Sequence, residues 1–326
     1  MESKKFGTLP DGTEVVQYIL KTEAAEVRIL NFGGIITDFI YKGQNIVCGF
    51  ETIEDYLADD SYQGALIGRF ANRIGGASFS LNGATYHVGA NEGKNTLHGG
   101  FCGFNRRVFT AEIANDTTLV LTRISPDGEE GYPGNLTVKA TYSLKNADLT
   151  ISYNAVSDQD TPVSLTNHSY FNLTGVGTSV LDYLATIHAD RYTAVDDELI
   201  PTGESPAVEG TPYDLRKPRK IGEMEGGYDT NFILSKDSSD TAPALAATVT
   251  GGNLKLSIYT TQPCIQFYTG CVLEGTPDFR GGVKKARFTA FCLETQAEPD
   301  APRKGEAILR AKNTYSHTTV YRIETV

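Results

Sequence analysis

Two polar residues in this chain each interrupt an otherwise apolar pattern. In SLTNHSYFNLTG, strand-like alternation puts Leu165, Phe171 and Leu173 on one side and Thr166, His168, Tyr170 and Asn172 on the other. The first side is core material. The second is a row of hydrogen-bonding groups around an aromatic ring, which suits a polyhydroxylated ligand such as a sugar; a satisfied core histidine is the plainer alternative. In RFTAFCLETQAEPD, Phe288, Ala290 and Cys292 share a face that runs directly into Glu294. A carboxylate ending an apolar stripe is either ion-paired or desolvated. Desolvation raises its pKa toward neutrality, as a general acid or base requires.

Other stretches hold candidates with equally simple alternatives. QPCIQFYTG sorts Gln262, Gln266 and Tyr268 onto one face and Ile265 and Phe267 onto the other. GRFANRIGG places Arg69, Asn72 and Arg73 beside small residues, although paired arginines are commonly solvated or ion-paired. NTLHGGFCGFNRR carries His98 before glycines that let backbone approach a ligand, without the G-x-x-x-x-G-K-[ST] spacing of a phosphate cradle. GGYDTNFIL sets Asp229 and Asn231 at the head of an apolar strand, where a turn would serve as well. No two of the five histidines stand at metal-ligand spacing, so no metal is expected. Five cysteines without a C-x-x-C pair read as reduced thiols of a cytoplasmic protein. A net charge of −11 argues against nucleic acid and anionic membrane as partners. No apolar run approaches the ~20 residues of a membrane span, and MESKKFGTLPDGT lacks the apolar core of a secretory signal.

The elements that must position these groups are strands. Leu136, Val138, Ala140, Tyr142 and Leu144 alternate with polar residues, KNAD follows, and LTISYNA alternates again, predicting a hairpin. ASFSLNGATYHV predicts another about a type I′ turn at Asn82-Gly83. LKLSIYT, IQFYTG and RFTAFCLE add short strands. The one helical signal is TIEDYLADD, with Thr52 and Asp55 placed for a capping box. Strands recur from Val15 to Ile323 with no linker between them, so residues 1–326 read as a single all-β domain, a large antiparallel β-sandwich. Two stacked β domains would need a boundary that nothing marks.

In this order and near these separations, GALIGRFANRIGG, NTLHGG, SPDGEEGYPG, TNHSYFNL, GYDTNF, QFYTG and ETQAEPDAP resemble the aldose 1-epimerases (galactose mutarotases), from about Asn31 to the final strand. The resemblance implies a galactose mutarotase-like super-sandwich with an open sugar-binding cleft. It also implies cofactor-free interconversion of the α and β anomers of a monosaccharide. Through its motifs Glu294 falls on the catalytic base and His168 on the catalytic acid. Asn72, Arg73, His98, Tyr170, Asp229 and Gln266 fall on sugar-contacting positions. Three departures bear on which sugars are accepted: Thr230 stands where relatives commonly have histidine, the tryptophan often found after LHGG is missing with Phe109 nearby in its place, and the segment after PDAP is shorter. Glu294 would start ionised and His168 protonated. The rivals are a hexose-6-phosphate epimerase using Arg69, Arg106 and Arg107, a non-catalytic sugar-binding protein, and a glycoside hydrolase using Asp229 and Glu294.

Overall fold

In the computed structural model, which describes residues 1–236 and 241–326, antiparallel strands account for most regular structure. The predicted hairpin forms between Leu136–Lys145 and Asp148–Ser157, closed by a two-residue turn at Asn146 and Ala147. Its alternating apolar residues, from Leu136 to Leu144, are all buried. Thr110–Asn115 and Thr118–Ser125 extend this sheet on one side. Thr314–Thr325, Leu254–Thr260, Ala244–Gly251, Leu184–Ile187 and Arg219–Lys220 extend it on the other, making nine strands. A five-stranded sheet is built in sequence order from Glu2–Thr8 to Gln44–Asn45. At Asn82-Gly83 both residues have positive φ, 53° and 81°, as a type I′ turn demands.

The sheet that matters for chemistry has four strands: Ala189–Tyr192, Asp229–Leu234, Cys264–Tyr268 and Cys292–Gln296, in that spatial order. Its register pairs Asn231 with Gln266 and Gln266 with Glu294, and Asp229 with Tyr268 and Tyr268 with Cys292. Directly paired residues share a face. One face therefore carries Phe232, Ile265, Phe267 and Leu293 into the main core, which also takes Val27 and Tyr142 from the two larger sheets. The opposite face is left with two rows of polar and aromatic groups.

Three expectations are modified. The stretch 165–173 is a strand only at Thr166–Asn167, and residues 163–173 are buried throughout, so period-2 sorting into a wet and a dry face does not hold there. RFTAFCLE is extended only from Cys292, because Phe288 has φ 59° and turns the chain. The helix Ile53–Ala58 forms with Thr52 as its N-cap, accepting from the Asp55 N–H at 3.2 Å, but the Asp55 carboxylate accepts from the Thr52 hydroxyl rather than from its backbone N–H.

Phe267→Ala should lower the unfolding free energy by about 3–5 kcal/mol, since it empties a core position. Ile124→Thr, at a position 63% exposed on the nine-stranded sheet, should stay within about 0.5 kcal/mol. Denaturant melts of the two variants check which face of each strand is the core.

Candidate active site

All eight residues singled out above, Asn72, Arg73, His98, His168, Tyr170, Asp229, Gln266 and Glu294, line one cavity of about 330 Å³ over the polar face of the four-stranded sheet. That size is in the range of small-molecule sites. His168 Nε2 lies 3.6 Å from Glu294 Oε1, and both side chains are almost wholly buried. Glu294 Oε2 is buried without a protein partner. An orphaned carboxyl oxygen is costly unless a ligand hydroxyl meets it. Tyr170 stacks on the His168 ring with centroids 4.9 Å apart, fixing its plane.

A second group of contacts builds the cleft wall. Asn72 Nδ2 donates to Gln266 Oε1 at 3.2 Å, and Gln266 Nε2 donates to Asp229 Oδ1 at 2.6 Å. Arg73 is held by a two-pronged ion pair with Glu92, both contacts at 2.7 Å. Asn72 and His98 have positive φ (66° and 52°) and clasp each other: the His98 N–H donates to the Asn72 carbonyl, and the Asn72 N–H donates to His98 Nδ1 at 3.1 Å. That second bond fixes a tautomer. Nδ1 supplies a lone pair, so the proton of the neutral ring sits on Nε2.

This tautomer bears on metal binding. His98, His168 and Glu294 bring three ligand-type atoms within 4.8 Å of one another. A metal-bound imidazole uses its other nitrogen as a donor, whereas Nδ1 of His98 is an acceptor. His98 is therefore suited to donate to a sugar hydroxyl and unsuited to hold a cation through Nε2.

Burial sets the protonation states. Desolvation pushes Glu294 well above the usual carboxylate range, with the Asp229 charge adding to the shift and Arg73 opposing it. Desolvation lowers His168 to about 4 and takes His98 well below its ordinary value, helped there by His168 and Arg73. Both shifts disfavour the ion pair expected of Glu294 and His168 and favour their neutral forms.

Several sequence candidates lie elsewhere. Asn172 donates to the carbonyls of Thr178 and Thr289, each at 2.8 Å, and Thr166 is buried with its hydroxyl unpartnered. Gln262 bonds the Tyr315 hydroxyl at 2.9 Å and lines a different cavity. Phe109 is a core residue. The glycines after His98 let the loop pack on itself: a Cβ on Gly99 would lie 2.1 Å from the Gly68 carbonyl oxygen. Thr230 lines an adjoining cavity of about 310 Å³ that shares Asn72, Arg73, Asp229 and Gln266 with the first. Conversely, Tyr62 lines the cleft unforeseen, its ring edge-on to His98 at 4.7 Å. It sits at a positive-φ turn in DDSYQG, where no strand alternation exists to flag it.

The fold and site meet a defined class of proteins. The family model for aldose 1-epimerase matches residues 16–322. A galactose mutarotase of Rattus norvegicus is 42% identical over 97% of this chain and 96% of that protein. An aldose 1-epimerase of Haemophilus influenzae is 36% identical over 83% of this chain and 84% of its own. The crystal structure of a galactose 1-epimerase from Lactobacillus acidophilus superposes with a TM-score of 0.88 at 26% identity, covering 99% of this chain and 98% of that one. The architecture is thus the galactose mutarotase-like β-sandwich. This chain belongs to the aldose 1-epimerase family, whose members are isomerases.

Because His98 presents a protonated nitrogen to the cleft, prolonged treatment with a strong chelator should leave sugar turnover unchanged. Loss of activity to chelator with recovery on adding a divalent ion would contradict the assigned tautomer.

Proposed function

We propose that this protein is a cofactor-independent aldose 1-epimerase that interconverts the α and β anomers of free hexoses such as glucose and galactose. The observation that carries the reading is the buried His168–Glu294 pair, with Nε2 and Oε1 3.6 Å apart in the wall of a polar cleft. Glu294 takes the proton of the anomeric hydroxyl while His168 gives one to the ring oxygen. The bond between the anomeric carbon and the ring oxygen breaks, leaving an aldehyde and a free hydroxyl. After rotation about the first carbon–carbon bond, the hydroxyl oxygen attacks the other face of the carbonyl, and both protons return. No atom is gained or lost.

The preference of burial for the neutral pair acquires a role in this scheme. When the ring is open, Glu294 holds the proton and His168 is neutral, which is the pair that burial favours. Desolvation therefore stabilises the protein state that accompanies the open-chain intermediate relative to the ion pair that accompanies the closed ring. His98, Asn72, Arg73, Asp229 and Gln266 hold the hydroxyls, and Tyr170 fixes the acid.

The surroundings favour a neutral sugar over a sugar phosphate. Among the described residues lining the cavity, Arg73 is the single cation, and it faces Asp60, Glu92, Asp229, Glu274 and Glu294. The arginines that a phosphate site would need are engaged elsewhere. Arg69 is buried against the carbonyls of Ser125, Pro126, Pro133 and Gly134. Arg106 binds the Leu57 and Asp59 carbonyls, and Arg107 binds the Cys102 carbonyl and Glu129. We further propose that residues 1–326 act as one domain, since its three large sheets share a core, and that it works in the cytoplasm, where its five unpaired cysteines would stay reduced.

Polarimetry on freshly dissolved α-galactose and α-glucose should show accelerated relaxation, with their 6-phosphates relaxing at the uncatalysed rate. Binding without acceleration would make the protein a sugar sensor instead. Glu294→Gln should fold and lose about a thousandfold in turnover; near-normal turnover would remove Glu294 from the mechanism. For the wild type, the active form is the pair with one proton. The value of kcat/KM should fall near pH 4 as His168 gains a second proton, and fall again on the alkaline side as Glu294 loses the last one. An acid limb at the ordinary histidine value would contradict this order.

A further inference from the structure

His168 has two ring nitrogens, and one strand supplies the partner of each. Cys292 and Glu294, two residues apart on Cys292–Gln296, project from the same face. Cys292 Sγ lies 3.6 Å from Nδ1, and Glu294 Oε1 lies 3.6 Å from Nε2. Among the described residues outside His168 itself, whose own main chain also bonds the ring, that sulfur is the hydrogen-bond partner of Nδ1. The other groups facing the ring are His98, Tyr62 and Tyr170. None of them reaches Nδ1 with a hydrogen bond.

We propose that Cys292 is a positioning residue for His168: its sulfur accepts the Nδ1 proton and holds the imidazole in the Nδ1–H tautomer, leaving Nε2 to exchange the proton used in ring opening. This rests on the epimerase reading of the pair. Nε2 must alternate between protonated and bare, so Nδ1 must keep its proton in both states. An S–H donated to Nδ1 would force the neutral ring's proton onto Nε2 and block that exchange. A carboxylate at Nδ1 would fix the same tautomer but would also raise the proton affinity of the ring. A thiol fixes it without doing so: burial pushes Cys292 well above its ordinary value, which favours the neutral sulfur.

His317 shows what a purely structural histidine looks like in the same fold. Its Nδ1 lies 3.0 Å from the Leu165 carbonyl oxygen, and its Nε2 sits among the hydroxyls of Thr260, Thr295 and Thr319. Both nitrogens are saturated by oxygen. His168 has a soft partner beside one nitrogen and a carboxylate oxygen 3.6 Å from the other, both beside the cleft.

The test is the ¹⁵N spectrum of the uniformly labelled wild-type protein near pH 7, with the His168 signals assigned by their loss in His168→Asn. Nδ1 should be protonated and Nε2 bare; Nε2–H as the main form would overturn the proposal. Cys292→Ala should give mixed tautomers and a kcat lower by about tenfold, the loss of one hydrogen bond, with KM within about twofold. Cys292→Ser should restore the tautomer and most of kcat, and its oxygen should move the acid limb of the pH profile upward. An alanine variant with the wild-type tautomer, kcat and pH profile would show that the cysteine only packs. If the wild type turns over no sugar, the epimerase reading falls while the spectrum still decides the tautomer.

Discussion

Glu294 is held out of water with one carboxyl oxygen facing His168 and the other unpartnered, and the polar face of the four-stranded sheet is arranged around that fact. Leaving such a group unsatisfied costs about 1–3 kcal/mol, more if it is charged. The sheet holds it in place from behind. Phe232, Ile265, Phe267 and Leu293 anchor the opposite face in the main core, and the register that pairs Gln266 with Glu294 is the one that keeps them there. A slip of one residue would bring Leu293 to the cleft and bury the carboxylate in the core, so hydrophobic packing specifies the position of the chemistry.

Charge around the cleft works on the same group from two directions. Asp229 makes ionisation of Glu294 harder and Arg73 makes it easier. Arg73 is itself held by Glu92, and Asp229 by Gln266, so both influences come from fixed positions. The result is an acidic pocket with one committed cation, surroundings that oppose the charge of a phosphate. Arg69, by contrast, spends its guanidinium on carbonyls of the SPDGEEGYPG segment. Its place among the family motifs follows from holding that loop rather than from touching a ligand.

Sequence patterning was most legible where one face of a strand is core and the other is not. Gln266, Cys292 and Glu294 sort correctly for that reason, and the hairpin at 136–157 and the turn at Asn82-Gly83 follow from alternation and turn chemistry alone. It failed at 165–173, where both sides are buried and the chain is irregular. There His168 and Tyr170 reach the cleft, while Asn172 turns to main-chain carbonyls. All eight cleft residues were candidates from their chemistry and local pattern, and the family motifs joined them into one site. Tyr62 has no periodic signal, and the glycines after His98 answer to loop packing that only the fold reveals. The raised Glu294 pKa was foreshadowed by its apolar stripe, but the lowered His168 was not, since its burial depends on neighbours distant in sequence.

Whether His168 serves chemistry or packing is decided by His168→Asn. Asparagine can still hydrogen-bond a sugar but has no titratable proton to give near neutral pH. Melting temperature and kcat should be measured on one preparation. The account predicts a melting temperature within a few degrees of wild type, a nearly unchanged KM, and a kcat lower by about a hundredfold or more. A variant that melts early while its folded fraction turns over sugar normally would contradict it.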